Sequence, residues 1–323
     1  MEISLLEHRD FVFGSVDIVQ CANGLAIRRM TPELFNIYGY SESADIRAKC
    51  PSDVRIRFKT DSKTLGVKLC YGRAARKLYS LDVAVDGQKA VILLPEEEGG
   101  PLDATTDLPG NGIHSVEINL PNLIESEIIS LRVDDGSKLE PPNPYQGKLV
   151  VVGDSIVQGM TCSHPSDSTF ARFSRLTGMD VHNLAVGGAV MDPAPLAASR
   201  ALGGTEVVVA FGINDFSTSK PMAKFSSQTR EVCELLQSDP RHPFIVVPIP
   251  YPGENGPNKE NLTSDDYREV IRKTAAEFPR ITVIDGMQFF PMEEPLYVDN
   301  CHPNNLGMAV YAHVLASMIH LKK

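Results

Sequence analysis

A hydroxyl, an imidazole and a carboxylate form a nucleophilic device only when each can reach the next. Residue types suited to that device stand in Gly153-Asp154-Ser155-Ile156 and, near the C-terminus, in Asp299-Asn300-Cys301-His302-Pro303-Asn304. A serine hydroxyl is a poor nucleophile until a base removes its proton, and His302 is the candidate base for Ser155. The imidazole must itself be held in one tautomer, which a carboxylate achieves by accepting from its other ring nitrogen. Asp299, three residues earlier on the same stretch, is placed to reach back to it. Attack on an acyl carbonyl then creates an oxyanion that needs two or three fixed donors. Two more polar stretches, Gly187-Gly188 and Gly212-Ile213-Asn214-Asp215, lie between the serine and the histidine.

Three of these four stretches close an apolar run. Leu149-Val150-Val151-Val152 is a continuous run of the kind expected of a strand buried on both faces, and similar runs span 181–186, 206–211, 244–249 and 281–284. Helical patterns fall between them, around 168–177, 194–202, 221–237 and 264–278, with a last one from 305 to 320. Thr263-Ser264-Asp265-Asp266 is a helix start with an acidic first turn. Alternating strand and helix predicts a parallel sheet covered by helices on both faces. Such sheets carry their sites beyond the carboxyl ends of the strands, where the polar stretches stand.

Before Pro141-Pro142-Asn143-Pro144 the texture differs. Val54-Arg55-Ile56-Arg57-Phe58 and Leu81-Asp82-Val83-Ala84-Val85 alternate, and Asp86-Gly87 ahead of Ala90-Val91-Ile92-Leu93-Leu94 is a hairpin signal. Further short runs at 66–71, 115–120 and 128–133 predict an antiparallel, jelly-roll-like β-sandwich. The chain of 323 residues thus divides into an N-terminal sandwich, 1–143, and an α/β domain, 144–323.

Taken in order, the Ser, Gly, Asn and His stretches resemble the four sequence blocks of the SGNH (GDSL) hydrolases, over residues 148–323. The resemblance implies a three-layer α/β/α domain with a central five-stranded parallel sheet. It further implies a serine esterase with no cofactor and no metal, in which Ser155, Asp299 and His302 are catalytic. The implied oxyanion donors are the backbone N–H of Ser155, the backbone N–H of Gly188 and the side-chain amide of Asn214. Gly187 competes with Gly188; counting from Asn183 favours Gly188. Some members of the family use a backbone carbonyl where Asp299 stands. The α/β-hydrolase alternative fails on its own motif, since Gly-x-Ser-x-Gly would need glycine where Val157 stands. Asp154 and Asp215 are expected to brace loops by hydrogen bonds. Cys301 adjoins His302 but points the opposite way along an extended loop. A sandwich ahead of such a domain resembles the carbohydrate esterases of family two and related deacetylases.

Composition narrows the partners. The net charge of −10 is spread over both halves and offers no basic face for nucleic acid. No apolar run is long enough to cross a bilayer. The start MEISLLEHRDFVFG lacks the basic and apolar regions of a secretory signal, which predicts a cytoplasmic protein. Cys21, Cys50, Cys70, Cys162, Cys233 and Cys301 are irregularly spaced and read as reduced thiols. Metal-ligand spacing and a phosphate cradle are both absent from the motifs. The absence of tryptophan counts against a polysaccharide platform.

The expected reaction is hydrolysis of a short acyl ester, above all acetyl, on a small or oligomeric carbohydrate. The alternatives are a lysophospholipase or acyl thioesterase, an inactive glycan-binding protein, and acyl transfer to a sugar hydroxyl in place of hydrolysis. Arg73, Arg76 and Lys77 form a small basic cluster, read as a solvated face ahead of an anion site. Oligomeric state is left open.

Overall fold

Asp86 and Gly87 both adopt left-handed backbone, with φ of +51° and +80°. This is the geometry that a two-residue hairpin turn demands. They join the strands Leu81–Val85 and Gln88–Leu93, with Val85 opposite Gln88. The computed structural model describes residues 1–109 and 111–320.

Two antiparallel sheets make up the N-terminal half. One runs in the order Val12–Phe13, Arg55–Thr60, His114–Asn119, Leu81–Val85, Gln88–Leu93, with Leu139–Glu140 also on Arg55–Thr60. The other runs Asp17–Gln20, Leu25–Arg28, Ile124–Val133, Thr64–Ala74, Leu102–Asp107. Their inner faces share a core that includes Phe58, Leu65, Val67, Leu81, Val83, Ile118 and Leu131. The outer strand Leu102–Asp107 is absent from the sequence reading, because Leu-Asp-Ala-Thr-Thr-Asp alternates with little apolar content.

Two helices, Pro32–Tyr38 and Glu42–Lys49, were likewise not foreseen. Each begins with a hydroxyl cap: Thr31 Oγ1 accepts from Leu34 N–H at 3.3 Å and Ser41 Oγ from Ala44 N–H at 3.2 Å. The second helix buries only Ala44 and Ala48, too thin a stripe to register as amphipathic. Both helices leave the sandwich core. Met30, Leu34, Tyr38, Ala44 and Ala48 pack into the core of the α/β layer.

That layer is a five-stranded parallel sheet in the order Asp180–Asn183, Lys148–Gly153, Glu206–Ala210, His242–Val247, Thr282–Asp285. Helices Thr169–Thr177 and Asn305–His320 pack together, while Pro193–Ser199, Met222–Gln237 and Ser264–Ala276 pack in series. The fold is therefore a three-layer α/β/α domain preceded by a β-sandwich. The strand order reverses direction after the first crossover, so a crevice opens between the ends of Lys148–Gly153 and Glu206–Ala210. Among the described residues no helix is long and apolar enough to cross a membrane.

Buried polar groups knit the halves together. Arg55, almost wholly buried, reaches Asp180 at 2.7 Å. Asp53 accepts from Ser168 Oγ and, at 2.7 Å, from Asn183 Nδ2. Asn122 Nδ2 donates to the Gln158 carbonyl at 2.8 Å.

Candidate active site

The strand Lys148–Gly153 ends directly in the short helix Ser155–Gln158, whose N-cap is Asp154. The Asp154 carboxylate accepts from Ile156 N–H at 3.0 Å, and burial pushes its pKa up to about 7. This cap sets Ser155 at the first turn, above the sheet. The histidine arrives from the other end of the chain. Asn304 caps the last helix by accepting from Leu306 and Gly307 N–H at 2.9 and 3.1 Å, and the loop before it carries His302. Thr161 Oγ1 ties that loop to the serine side through the Pro303 carbonyl at 2.7 Å.

Ser155 Oγ and His302 Nε2 are 2.9 Å apart. On the far side of the ring, Nδ1 lies 2.9 and 3.1 Å from the two Asp299 oxygens. Asp299 Oδ1 also accepts from the backbone N–H of Cys301 and His302 at 2.8 and 2.7 Å. Burial pushes the Asp299 pKa up, but these donors outweigh it and hold the carboxyl below its ordinary range. Asp299 therefore stays anionic while the imidazole gains a proton. Both ring nitrogens are engaged, and burial pushes the Cys301 thiol up to about 12, which leaves no Cys–His pair. Hydroxyl, imidazole and carboxylate in this sequence can move one proton from the serine as its oxygen attacks.

Gly188 has φ +86°, a conformation that side-chain-bearing residues rarely adopt, and is exposed at the crevice. The N–H of Gly187 is occupied, donating to Gln158 Oε1 at 2.8 Å. Asn214 opens the short helix Ile213–Ser217, and its side-chain amide donates to the Ala189 carbonyl at 2.9 Å. That bond brings the Gly188 loop and Asn214 to the same rim. Asp215, buried beside it, accepts from Met191 N–H at 2.9 Å and from Lys220 Nζ at 2.8 Å. Lys220 Nζ also donates to the Met191 carbonyl, which completes a clamp on the loop. Both aspartates brace loops, as expected of them.

Gln158 escaped the sequence reading. It is fully buried, donates to the Arg47 carbonyl at 2.9 Å and to Ser52 Oγ at 3.0 Å, and holds Gly187 N–H. Arg29 escaped as well. Its guanidinium donates to the carbonyls of Cys50, Asn183 and Arg47 at 2.6–2.7 Å. A polar residue one turn past the serine was the only local signal for Gln158, and nothing local pointed to Arg29. The Arg73 cluster is neutralised: Arg73 pairs with Asp45 and Glu125, and Lys77 with Glu98. Among the described residues no group of three or more His, Cys, Asp or Glu is arranged to hold a metal ion.

Residues 151–310 match the model of the GDSL-like lipase/acylhydrolase family. No curated protein matches the chain in sequence. Solved structures that resemble it over most of its length include the following three. Salicylyl-acyltransferase SsfX3 from a tetracycline biosynthetic pathway superimposes with a TM-score of 0.79 at 22% identity, covering 96% of this chain and 93% of that one. A family two carbohydrate esterase from Clostridium thermocellum, solved with cellohexaose, gives 0.63 at 18% identity, over 84% and 93%. An acetyl xylan esterase, Est2A, from the rumen bacterium Butyrivibrio proteoclasticus gives 0.56 at 13% identity, over 84% and 90%. At these identities the likeness is one of fold, and it extends through the N-terminal sandwich. The family match covers the segment that bears Ser155, Gly188, Asn214 and His302, so residues 151–310 form a domain of the GDSL-like lipase/acylhydrolase family of carboxylic ester hydrolases.

Proposed function

We propose that the chain is a serine esterase that removes short acyl groups, acetyl first among them, from a carbohydrate through an acyl-enzyme at Ser155. The observation that carries this reading is the unbroken contact from Ser155 Oγ through the His302 ring to Asp299. His302 Nε2 takes the hydroxyl proton as Ser155 attacks the ester carbonyl, and Asp299 holds the ring and its developing charge. The oxyanion is met by the N–H groups of Ser155 and Gly188 and by the Asn214 amide. His302 returns the proton to the leaving alcohol, then activates the water that hydrolyses the acyl-enzyme. Residues 144–323 carry this chemistry, and residues 1–143 shape the approach to it. The carbohydrate part of the reading is supported by relatives described as a carbohydrate esterase and an acetyl xylan esterase.

Asn214→Ala tests the oxyanion assignment. Removal of one such donor is expected to lower kcat by roughly 100-fold or more with little change in KM. An Asn214→Ala enzyme with wild-type kcat would place the oxyanion elsewhere.

A second reading has its own observation. A cavity of about 220 Å³ lies against the residues after Gly188, lined by Ile37, Tyr38, Tyr40, Ala189, Val190 and Phe211 among others. Such a recess, mostly apolar with Asp192 in its lining, has room for an acyl group larger than acetyl, or for an acceptor alcohol in acyl transfer. The deciding experiment is hydrolysis of p-nitrophenyl acetate, butyrate and octanoate, with acetylated sugars and added acceptor sugars alongside. Fastest turnover of acetate, with sugar deacetylation, supports the deacetylase. Preference for octanoate moves the assignment to a lipid-type acylhydrolase, and new ester formed with acceptor moves it to a transferase. No ester turned over above buffer rejects catalysis of all three kinds.

A further inference from the structure

One guanidinium beside the Gly187-Gly188 loop has no ion-pair partner among the described residues. Arg47 comes from the helix Glu42–Lys49, in the sequence before the sandwich strands close, and lies directly over that loop. A Cβ added to Gly187 would stand 3.0 Å from Arg47 Cδ and 3.1 Å from its Nε. Arg47 Nε is buried and without a hydrogen-bond partner. The carboxylate two residues earlier in the same helix, Asp45, is taken by Lys49 and Arg73. Asp192 caps the helix Pro193–Ser199 through Ala194 N–H, and among the described residues no carboxylate lies within ion-pair distance of Arg47.

Other cations nearby are met by protein groups: Arg29 spends its donors on three carbonyls, Lys220 is paired with Asp215, and Arg268 with Glu254. Arg47 is only partly buried, and with its Nε enclosed the rest of its guanidinium can meet an arriving carboxylate or phosphate with charge-assisted hydrogen bonds. The position is also fixed in advance. Arg29 and Gln158 both grip the Arg47 carbonyl, so the helix that bears the guanidinium is locked to the strand end and to the helix that bears Ser155. With the helix fixed, the freedom that binding would cost is confined to the Arg47 side chain.

We propose that Arg47 is a substrate-binding residue that receives an anionic group carried by the ester, so that anionic esters are preferred over neutral esters of the same shape. The proposal rests on Ser155 as the nucleophile. It adds a substrate class, esters with a carboxylate or phosphate on the acyl or the sugar side, to the esterase reading. Arg47 acts in binding, and its removal is read as lost discrimination.

The test compares kcat/KM for two matched pairs of esters, each corrected for its rate in buffer. Mono-p-nitrophenyl succinate against p-nitrophenyl 4-methylpentanoate probes the acyl side, and acetylated glucuronic acid against acetylated glucose probes the alcohol side. Wild type is expected to prefer the anionic member of at least one pair by about tenfold or more, as loss of a charge-assisted pair implies. Arg47→Ala should lower that ratio by a similar factor, and Arg47→Lys should restore part of it. Thermal melting of both variants identifies any loss of fold. A ratio near one for both pairs in wild type, or one that neither substitution moves, overturns the proposal. Calorimetric titration of monomethyl succinate separates this failure from failure of the nucleophile assignment. Tenfold weaker binding to Ser155→Ala/Arg47→Ala than to Ser155→Ala supports Arg47 even if turnover proves independent of Ser155. Equal binding to the two overturns it.

Discussion

Ser155→Ala is expected to lower kcat for p-nitrophenyl acetate by about 10⁴-fold or more, the usual consequence of removing a serine nucleophile. The hydroxyl meets His302 Nε2 at 2.9 Å and has no other role in the packing of the helix Ser155–Gln158, which Asp154 caps. Thermal stability should therefore stay close to wild type, since only one partly buried hydrogen bond is lost. A small residual rate is expected, because the Gly188 and Asn214 donors and the Ser155 backbone N–H survive the substitution. Steady-state hydrolysis and a melting curve on the same preparation check both parts. If the variant keeps more than a tenth of the wild-type rate while folded, Ser155 is not the nucleophile.

Asp299→Asn should be the next most damaging change. The carboxylate faces His302 Nδ1 at 2.9 Å and simultaneously accepts from two backbone N–H groups, so it both sets the tautomer and shapes the loop. An asparagine of the same shape can keep the backbone bonds but presents either an N–H to a ring nitrogen or a weaker, uncharged acceptor. The imidazole then loses the bias that leaves Nε2 free to take a proton. Replacing a buried carboxylate in this role typically lowers kcat by about 10⁴. The Asp299 side chain is 43% exposed, so water can stand in for part of its effect. The expected loss is accordingly smaller, about 10³-fold, with KM nearly unchanged. Loss of less than about tenfold would mean that Asp299 is not what orients the ring.

Because the bonds that lower the Asp299 pKa exist only in the folded loop, the carboxylate adds stability at pH values above its unfolded pKa. That contribution fades as pH falls through the lower folded value. Loss of the loop geometry in acid would thus coincide with loss of the anion that orients His302.

The parallel sheet was legible because its inner strands Lys148–Gly153 and Glu206–Ala210 are buried on both faces around the unbroken runs Leu149–Val152 and Val207–Val209. Asp86-Gly87 was legible because the left-handed turn it forms admits few residue types. One predicted strand, 181–186, is shorter than its apolar run. Asp180–Asn183 pairs with its neighbour as a strand, and beyond it the buried Leu184 and Val186 still donate their N–H groups to the Val151 and Gly153 carbonyls at 2.8 and 3.1 Å on the way into Gly187-Gly188. The apolar run thus marks contact with the sheet beyond the regular strand.

The helices Pro32–Tyr38 and Glu42–Lys49 illustrate the opposite limit. Their helical character rests on two hydroxyl caps and on small buried alanines, and their placement rests on Arg29, whose three acceptors lie as far away as Asn183. Local pattern holds no trace of such contacts, because hydrogen bonds to carbonyls depend on where the chain returns, not on which residues are adjacent. The order of polar stretches along the chain, with each at a strand end or before the last helix, was determined by the sequence itself. That order names the residues able to meet in one crevice. Their approach to bonding distance, the engagement of Gly187 N–H by Gln158 and the arrival of Arg47 over the loop were decided only by tertiary structure. The serine–histidine contact and the arrival of Arg47 join segments more than a hundred residues apart, and the Gly187–Gln158 bond joins residues 29 apart; in each, the free energy of burial selects the partner and the covalent neighbours carry no information about it.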